Sequence, residues 1–195
     1  MITIEIFKKL KESEDKVEFK KGEGGNISYD GGSKPKPGDR RRCILGYVTA
    51  LCNEGGGYLV IGMTDNHPHE VVGTQQNIGS IGELESKIYT DTGIRPIIYE
   101  LYEDQKRVLV IEVPCRPAGK VFKFEDVALM RVGEELKPMS DEIYLKIIQE
   151  QEPDFSQQIC EGLAVSDLDQ RAIILLNEKY SIKQNNPQFK LLPNE

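Results

Sequence analysis

Three consecutive arginines, Arg40, Arg41 and Arg42, follow Lys34 and Lys36 in the stretch "SKPKPGDRRRC". Side chains of this kind at this density grip phosphate oxygens, arginine through a planar fork of donors and lysine as a point charge. The arginines also stand where a helix begins. "DRRRCILGYVTALCNE" reads as one helix capped by Asp39, with Ile44, Val48 and Leu51 making an apolar stripe. That reading puts the arginines in the first turn, beside amides with no helical partner, at the end of a helix that favours anions. Lys34 and Lys36 extend the grip from the preceding loop, and Lys20 joins the same set of expected nucleic-acid contacts. Phosphate contacts of this type imply binding that weakens steeply with salt. The plain structural alternative is a solvated helix start, neutralised by acidic neighbours.

The chain of 195 residues carries a net charge of −7, which speaks against wholesale non-specific polynucleotide binding. The charge is uneven, however. Residues 16 to 42 hold Lys16, Lys20, Lys21, Lys34, Lys36 and the three arginines against Glu18, Glu23, Asp30 and Asp39, while "QEQEPDFSQQICEG" is acidic. Seven per cent aromatic residues and no tryptophan argue against a stacking platform for single strands. Four scattered cysteines (Cys43, Cys52, Cys115, Cys160) form no CxxC pair, so they read as reduced, mostly packed thiols. No phosphate-binding GxxxxGK[ST] or complete GxGxxG is present, and no serine or cysteine sits in a nucleophile motif. His67 and His69, split by a proline in "NHPHE", read as an exposed turn with no catalytic role. With no apolar run near 18 residues and no signal-peptide shape, the sequence predicts a cytoplasmic protein with no membrane partner.

The elements that position these residues follow from periodicity. "TIEIFKKLKES" reads as a short helix with Thr3 as its cap, and "KVEFKK" as a half-buried, alternating strand. "GEGGNISYDGGSKPKPG" is a long loop. After the arginine helix come the strand "YLVIGM", apolar enough for burial on both faces, and the helix "IGELESKIYTD". "IIYELYED" and "KRVLVIEVP" read as strands joined over Asp104 and Gln105, and "VFKF" with "VALMRVG" as a further strand or hairpin. Two helices follow, "SDEIYLKIIQEQ" and "SDLDQRAIILLNEKY". The expected fold is α+β, a mixed, mainly antiparallel sheet flanked by helices, over residues 1–138, with a helical extension over 139–195 that connects to a further C-terminal region. Between the arginine helix and the strand "YLVIGM" lie three glycines, Gly55 to Gly57. One suffices to stop a helix; three suggest that something approaches the backbone closely.

"VEFKK", a helix, "ALCNEGGGYLVIGMTDN", "RPIIYE", "VLVIEVP" and "ALMRVGEELKPMS" follow one another in an order that resembles the Schlafen/AlbA-like (AlbA_2) domain over roughly residues 10 to 140. The resemblance implies a DNA-binding module of a transcriptional regulator, with DNA as partner, no cofactor, and a homo-oligomer as a further expectation. In Schlafen proteins the domain carries a metal-dependent ribonuclease site, which is the second reading. There Glu18 matches one acidic position and Asp65 another, and the two would share Mg or Mn. The remaining glutamate of that pattern falls on Ser13, flanked by Glu12 and Glu14, and Thr64 replaces another carboxylate. On the plain reading Glu18 pairs with Lys20 on one strand face or with the arginine helix, and Asp65 forms a turn. A third reading is a non-catalytic protein-interaction module using the acidic helices.

Overall fold

The computed structural model describes residues 2–12, 14–21, 26–77, 79–133, 135–150, 167 and 169–183. In chain order the elements are α1 (Ile4–Phe7), β1 (Val17–Lys20), α2 (Pro37–Arg41), α3 (Ile44–Asn53), β2 (Gly57–Ile61), α4 (Ile81–Thr92), β3 (Ile97–Glu103), β4 (Lys106–Val113), β5 (Lys123–Phe124), β6 (Val127–Val132), β7 (Glu135–Pro138), α5 (Asp141–Ile148) and α6 (Gln170–Lys183). The chain divides into two units, Met1–Glu152 and Pro153–Glu195. In the second unit α6 is the described helix, and it carries exposed Ile174, Leu175, Leu176 and Tyr180. The acidic run after residue 150 and Cys160 lie outside the described residues.

The α+β architecture expected from the sequence is present, with the strands divided between two sheets. One has the order β1-β2-β4-β3 and the other β5-β6-β7. Every pairing is antiparallel except β1 with β2, where Glu18 stands opposite Leu59. The β3–β4 turn falls on Asp104 and Gln105, both at positive φ (47° and 62°), as a two-residue hairpin turn requires. Glu125 and Asp126 make the equivalent turn between β5 and β6.

α3 is the hub of the first unit. All ten of its residues are buried, not a stripe of them, so this helix is enclosed on every side. It packs with Leu59 and Ile61 of β2, Leu109 and Ile111 of β4, Leu129 of β6 and Leu136 of β7 in one core. The opposite face of the four-stranded sheet builds a second core, in which Phe7 of α1 meets Val17, Phe19, Val60 and Val110. β2 is therefore covered on both faces, as its unbroken apolar run predicts.

Two expectations need correction. The arginines and α3 do not share one helix: the chain leaves α2 at Arg42 (φ −74°, ψ 70°), extends at Cys43, and starts again. Three charged side chains cannot follow a helix that is buried all round, and the break leaves them outside. Cys43, not Asp39, caps α3, its sulfur accepting from the Gly46 amide. The described part of the loop before α2, residues 26–36, is tied to α3. Its carbonyls at Ser28 and Tyr29 accept the Ile44 and Leu45 amides (2.9 and 3.1 Å), so the first turn of α3 has its donors satisfied from within.

The glycine turn is explained by neighbouring backbone. A Cβ on Gly57 would lie 2.2 Å from the Lys16 carbonyl oxygen, and one on Gly56 2.8 Å from that of Val113. Both residues also hold positive φ (151° and 85°). Here β2 slides between the start of β1 and the exit of β4, and the close approach is the chain's own. Gly57→Ala is expected to destabilise the fold by about 2–4 kcal/mol, from strain plus overpacking. A urea midpoint lowered at constant m-value is the measurement that checks it.

Candidate nucleic-acid interface

A cleft of about 560 Å³ opens beside α3, lined by Lys20, Asn26, Ile27, Ser28, Lys34, Arg42 and Tyr47. Three of the predicted cations thus meet on one concavity, each from a different segment: β1, the pinned loop, and the α2–α3 break. Lys34 and Arg42 are exposed, and neither side chain has a hydrogen-bonded or ion-pair partner among the described residues. The wall is held by backbone and side-chain bonds. Besides the bonds to α3, the Ile27 amide donates to Gln76 Oε1 (2.8 Å) and Thr74 Oγ1 to Asn26 Oδ1 (3.2 Å). Further along, the Tyr29 hydroxyl donates to Asp91 on α4 (2.7 Å), while Lys87 lies 4.0 Å over the Tyr29 ring.

Lys20 is positioned from the interior. Burial alone disfavours its charge, but the Glu18 carboxylate, 2.6 Å away at Oε1, together with Tyr47 and Glu12 outweighs that and raises its pKa overall. This contact is ionic, off the hydrogen-bond direction. The ammonium also sits 4.8 Å from the centre of the Tyr47 ring. Glu18 itself is 1 % exposed. Its second oxygen takes a hydrogen bond from Arg131 Nη1 (3.3 Å), which also donates to the Val17 carbonyl (2.5 Å). Nε of the same guanidinium donates to Glu54, just past α3 (3.0 Å). The expected Glu18–Lys20 pair on one strand face exists; the arginine that completes it comes from β6, not from the arginine helix. β1 is not the half-exposed strand its alternation suggests, because Glu18 points into the core.

Arg40 and Arg41 occupy the last turn of α2, where cations complement the helix dipole. Both contact Glu125 at the β5–β6 turn: Arg40 through a two-pronged hydrogen bond and Arg41 through Nε at 3.2 Å. The arginine triplet is therefore split, with Arg42 turned to the cleft and its two neighbours tied to an acid. Lys36 stands exposed before α2 and does not line the cleft.

The carboxylates of the metal reading have separate partners. Glu12 accepts the Phe19 amide (2.5 Å) on the open edge of β1, and Glu14 pairs with Lys11 (2.9 Å). Asp65 is exposed in the turn after β2, beyond the register position Leu59 that faces Glu18. Among the described residues no three His, Cys, Asp or Glu side chains gather as a cation site. Glu18, already shared by two cations, does not fit a divalent ion, so no chemical step is derived through one. His69 is not in an exposed turn. It is buried, stacked 3.8 Å from Phe19, with its ring nitrogens 2.7 and 2.8 Å from the Thr64 and Leu10 carbonyls. Cys43 and Cys52 are packed, and burial pushes their thiols up to about 11 and about 12.

Sequence reading missed Tyr47, Asn26, Ile27 and Ser28 as lining residues, and Arg131 and Glu125 as organising partners. Arg131 had a signal: a lone charge inside the apolar run "VALMRV". Glu125 had none, since its partners lie 85 and 84 residues away.

A family model described as Schlafen, AlbA_2 matches residues 12–140. Among solved structures, the DIP2311 protein from Corynebacterium diphtheriae is similar at a TM-score of 0.51 with 22% identity, over 93% of this chain and 35% of that one. The chain thus spans about a third of DIP2311. The N-terminal domain of a RecG-related protein from Nitrosomonas europaea aligns at a TM-score of 0.46 and 18% identity, over 72% of this chain and 92% of that domain. No curated protein matches.

Arg131→Met would leave Glu18 buried with one cation fewer, and is expected to cost about 3–5 kcal/mol in urea unfolding. Adding Glu18→Gln should recover part of that loss, because the two changes act on one interaction. Arg40, by its hydrogen bonds, and then Arg41 hold the Glu125 carboxyl below its ordinary value of 4.5. A lowered folded value means that this stabilisation is full above the unfolded pKa and fades as pH falls through the folded one. Melting temperature should therefore decline below about pH 4.5 less steeply in Glu125→Gln than in the parent chain.

Proposed function

As the chain belongs to the Schlafen AlbA_2 family, we propose that its first unit is a nucleic-acid-binding module, with DNA as partner, gripping phosphates at the cleft of Lys20, Lys34 and Arg42. The observation that carries this reading is the convergence of three cations from three segments on one concave surface, in a chain whose net charge is −7. Local field, not the sum of charges, decides whether a polyanion docks. Lys34 and Arg42 have no hydrogen-bonded or ion-pair partner among the described residues, and Lys36 lies near enough in the chain to meet an adjacent phosphate. Arg40 and Arg41 have Glu125 as a partner and contribute less. The choice of DNA, and a place within a longer transcriptional regulator, are extensions of family membership.

The module is expected to bind DNA at low ionic strength with little base preference, because phosphate contacts position without specifying. Neutralising about three phosphates gives a slope of about −2.7 in log K against log salt. Fluorescence anisotropy over a salt series should show Lys34→Glu/Arg42→Glu losing more than about tenfold in affinity with a shallower slope. Arg40→Ala should weaken binding less. Unchanged affinity in the Lys34/Arg42 pair would remove the cleft as the docking site.

A further inference from the structure

Building on the nucleic-acid reading, we propose that the cleft captures a phosphate monoester at the end of a strand in preference to a diester within one. The first argument is shape. A duplex backbone spreads its phosphates along an extended surface, one diester per nucleotide, while a strand end offers one phosphate with a single nucleotide behind it. This site is a concavity of about 560 Å³, within the roughly 300–1,000 Å³ that holds a small molecule and therefore large enough for one terminal nucleotide. Its wall is fixed at Ile27 by Gln76 and at Ser28 and Tyr29 by the first turn of α3, so the hollow is built into the fold.

The second argument is charge. Lys20 enters the cleft already paired with Glu18 at 2.6 Å, which leaves Lys34 and Arg42, neither with a hydrogen-bonded or ion-pair partner among the described residues, as two cations on one volume, Arg42 within the field of Glu135. An internal diester brings a single negative charge, whereas a monoester carries about −1.5 to −2 at pH 7 and three acceptor oxygens. Arg42 supplies a forked donor and Lys34 a point charge, a pairing that suits several oxygens on one phosphorus. Asn26 and Ser28 offer polar groups, and Ile27 with Tyr47 an apolar side, to the sugar and base behind the phosphate.

The test uses the full chain and one internally labelled oligonucleotide sequence, single-stranded and duplex, prepared with a 5′-phosphate, a 3′-phosphate or hydroxyls at both ends. Anisotropy at fixed salt should show one phosphorylated form binding about tenfold tighter than the hydroxyl form, the worth of one added charge-assisted contact. Lys34→Gln and Arg42→Gln should each erase that increment, while Lys36→Gln, outside the cleft, lowers all forms alike. Equal affinity for the three forms overturns end capture and leaves the phosphate-gripping surface standing. A nucleoside monophosphate that competes as well as the end-phosphorylated strand also overturns it, assigning the cleft to free nucleotides. No binding of any oligonucleotide at low salt overturns the underlying reading itself. Since Lys34 and Arg42 are exposed, with no hydrogen-bonded or ion-pair partner among the described residues, melting temperatures of their variants should match the parent, which separates lost binding from lost folding.

Discussion

Arg131 serves two carboxylates and a strand-edge carbonyl at once, and much of the first unit is arranged around that sharing. Glu18 points from β1 toward the fully buried face of α3, where an isolated carboxylate would be prohibitively costly. The guanidinium from β6 makes the burial tolerable, and in doing so ties the three-stranded sheet to the edge of the four-stranded one. It also neutralises Glu54 at the C-terminal end of α3, where a negative charge opposes the helix dipole. Lys20 is the outward end of the same chain of charges. Its place in the cleft is thus inherited from the core, while Lys34 and Arg42 owe theirs to the path of the loop and the helix break.

This arrangement separates the two roles that a carboxylate at position 18 could play. A metal ligand needs oxygen lone pairs facing an open, oxygen-rich site. Glu18 instead faces ammonium and guanidinium groups, and Asp65 stands exposed in a turn of its own. The same side chain that matches a nuclease pattern in sequence therefore organises cations in this fold.

The element order was largely legible in the sequence because it rests on local periodicity and turn chemistry. The hairpin at Asp104 and Gln105 and the apolar run of β2 are of that kind. Burial of Glu18 was not legible, since a strand reading "VEFK" alternates in the same way whether its charged face meets water or an arginine from residue 131. The helix break at Arg42 was hidden for a related reason. Helical spacing continues through "RRRCILGYV", and only the total enclosure of α3 between two sheets forbids the arginines from following it. Of the six expected phosphate contacts, three converge; the partition of the arginine triplet depends on Glu125, whose approach is a matter of tertiary topology.

The loop that walls the cleft is fastened mainly by main-chain groups, through the Ser28 and Tyr29 carbonyls and the Ile27 amide. Bonds of that sort are indifferent to side-chain identity. Asn26 Oδ1 and Ser28 Oγ add side-chain bonds, accepting from Thr74 and the Gly31 amide, whereas the Lys34 side chain has no hydrogen-bonded or ion-pair partner among the described residues. The lining can therefore be retuned at position 34 without rebuilding the scaffold. A segment with a fixed track and replaceable surface is where variation in selectivity among relatives would accumulate first.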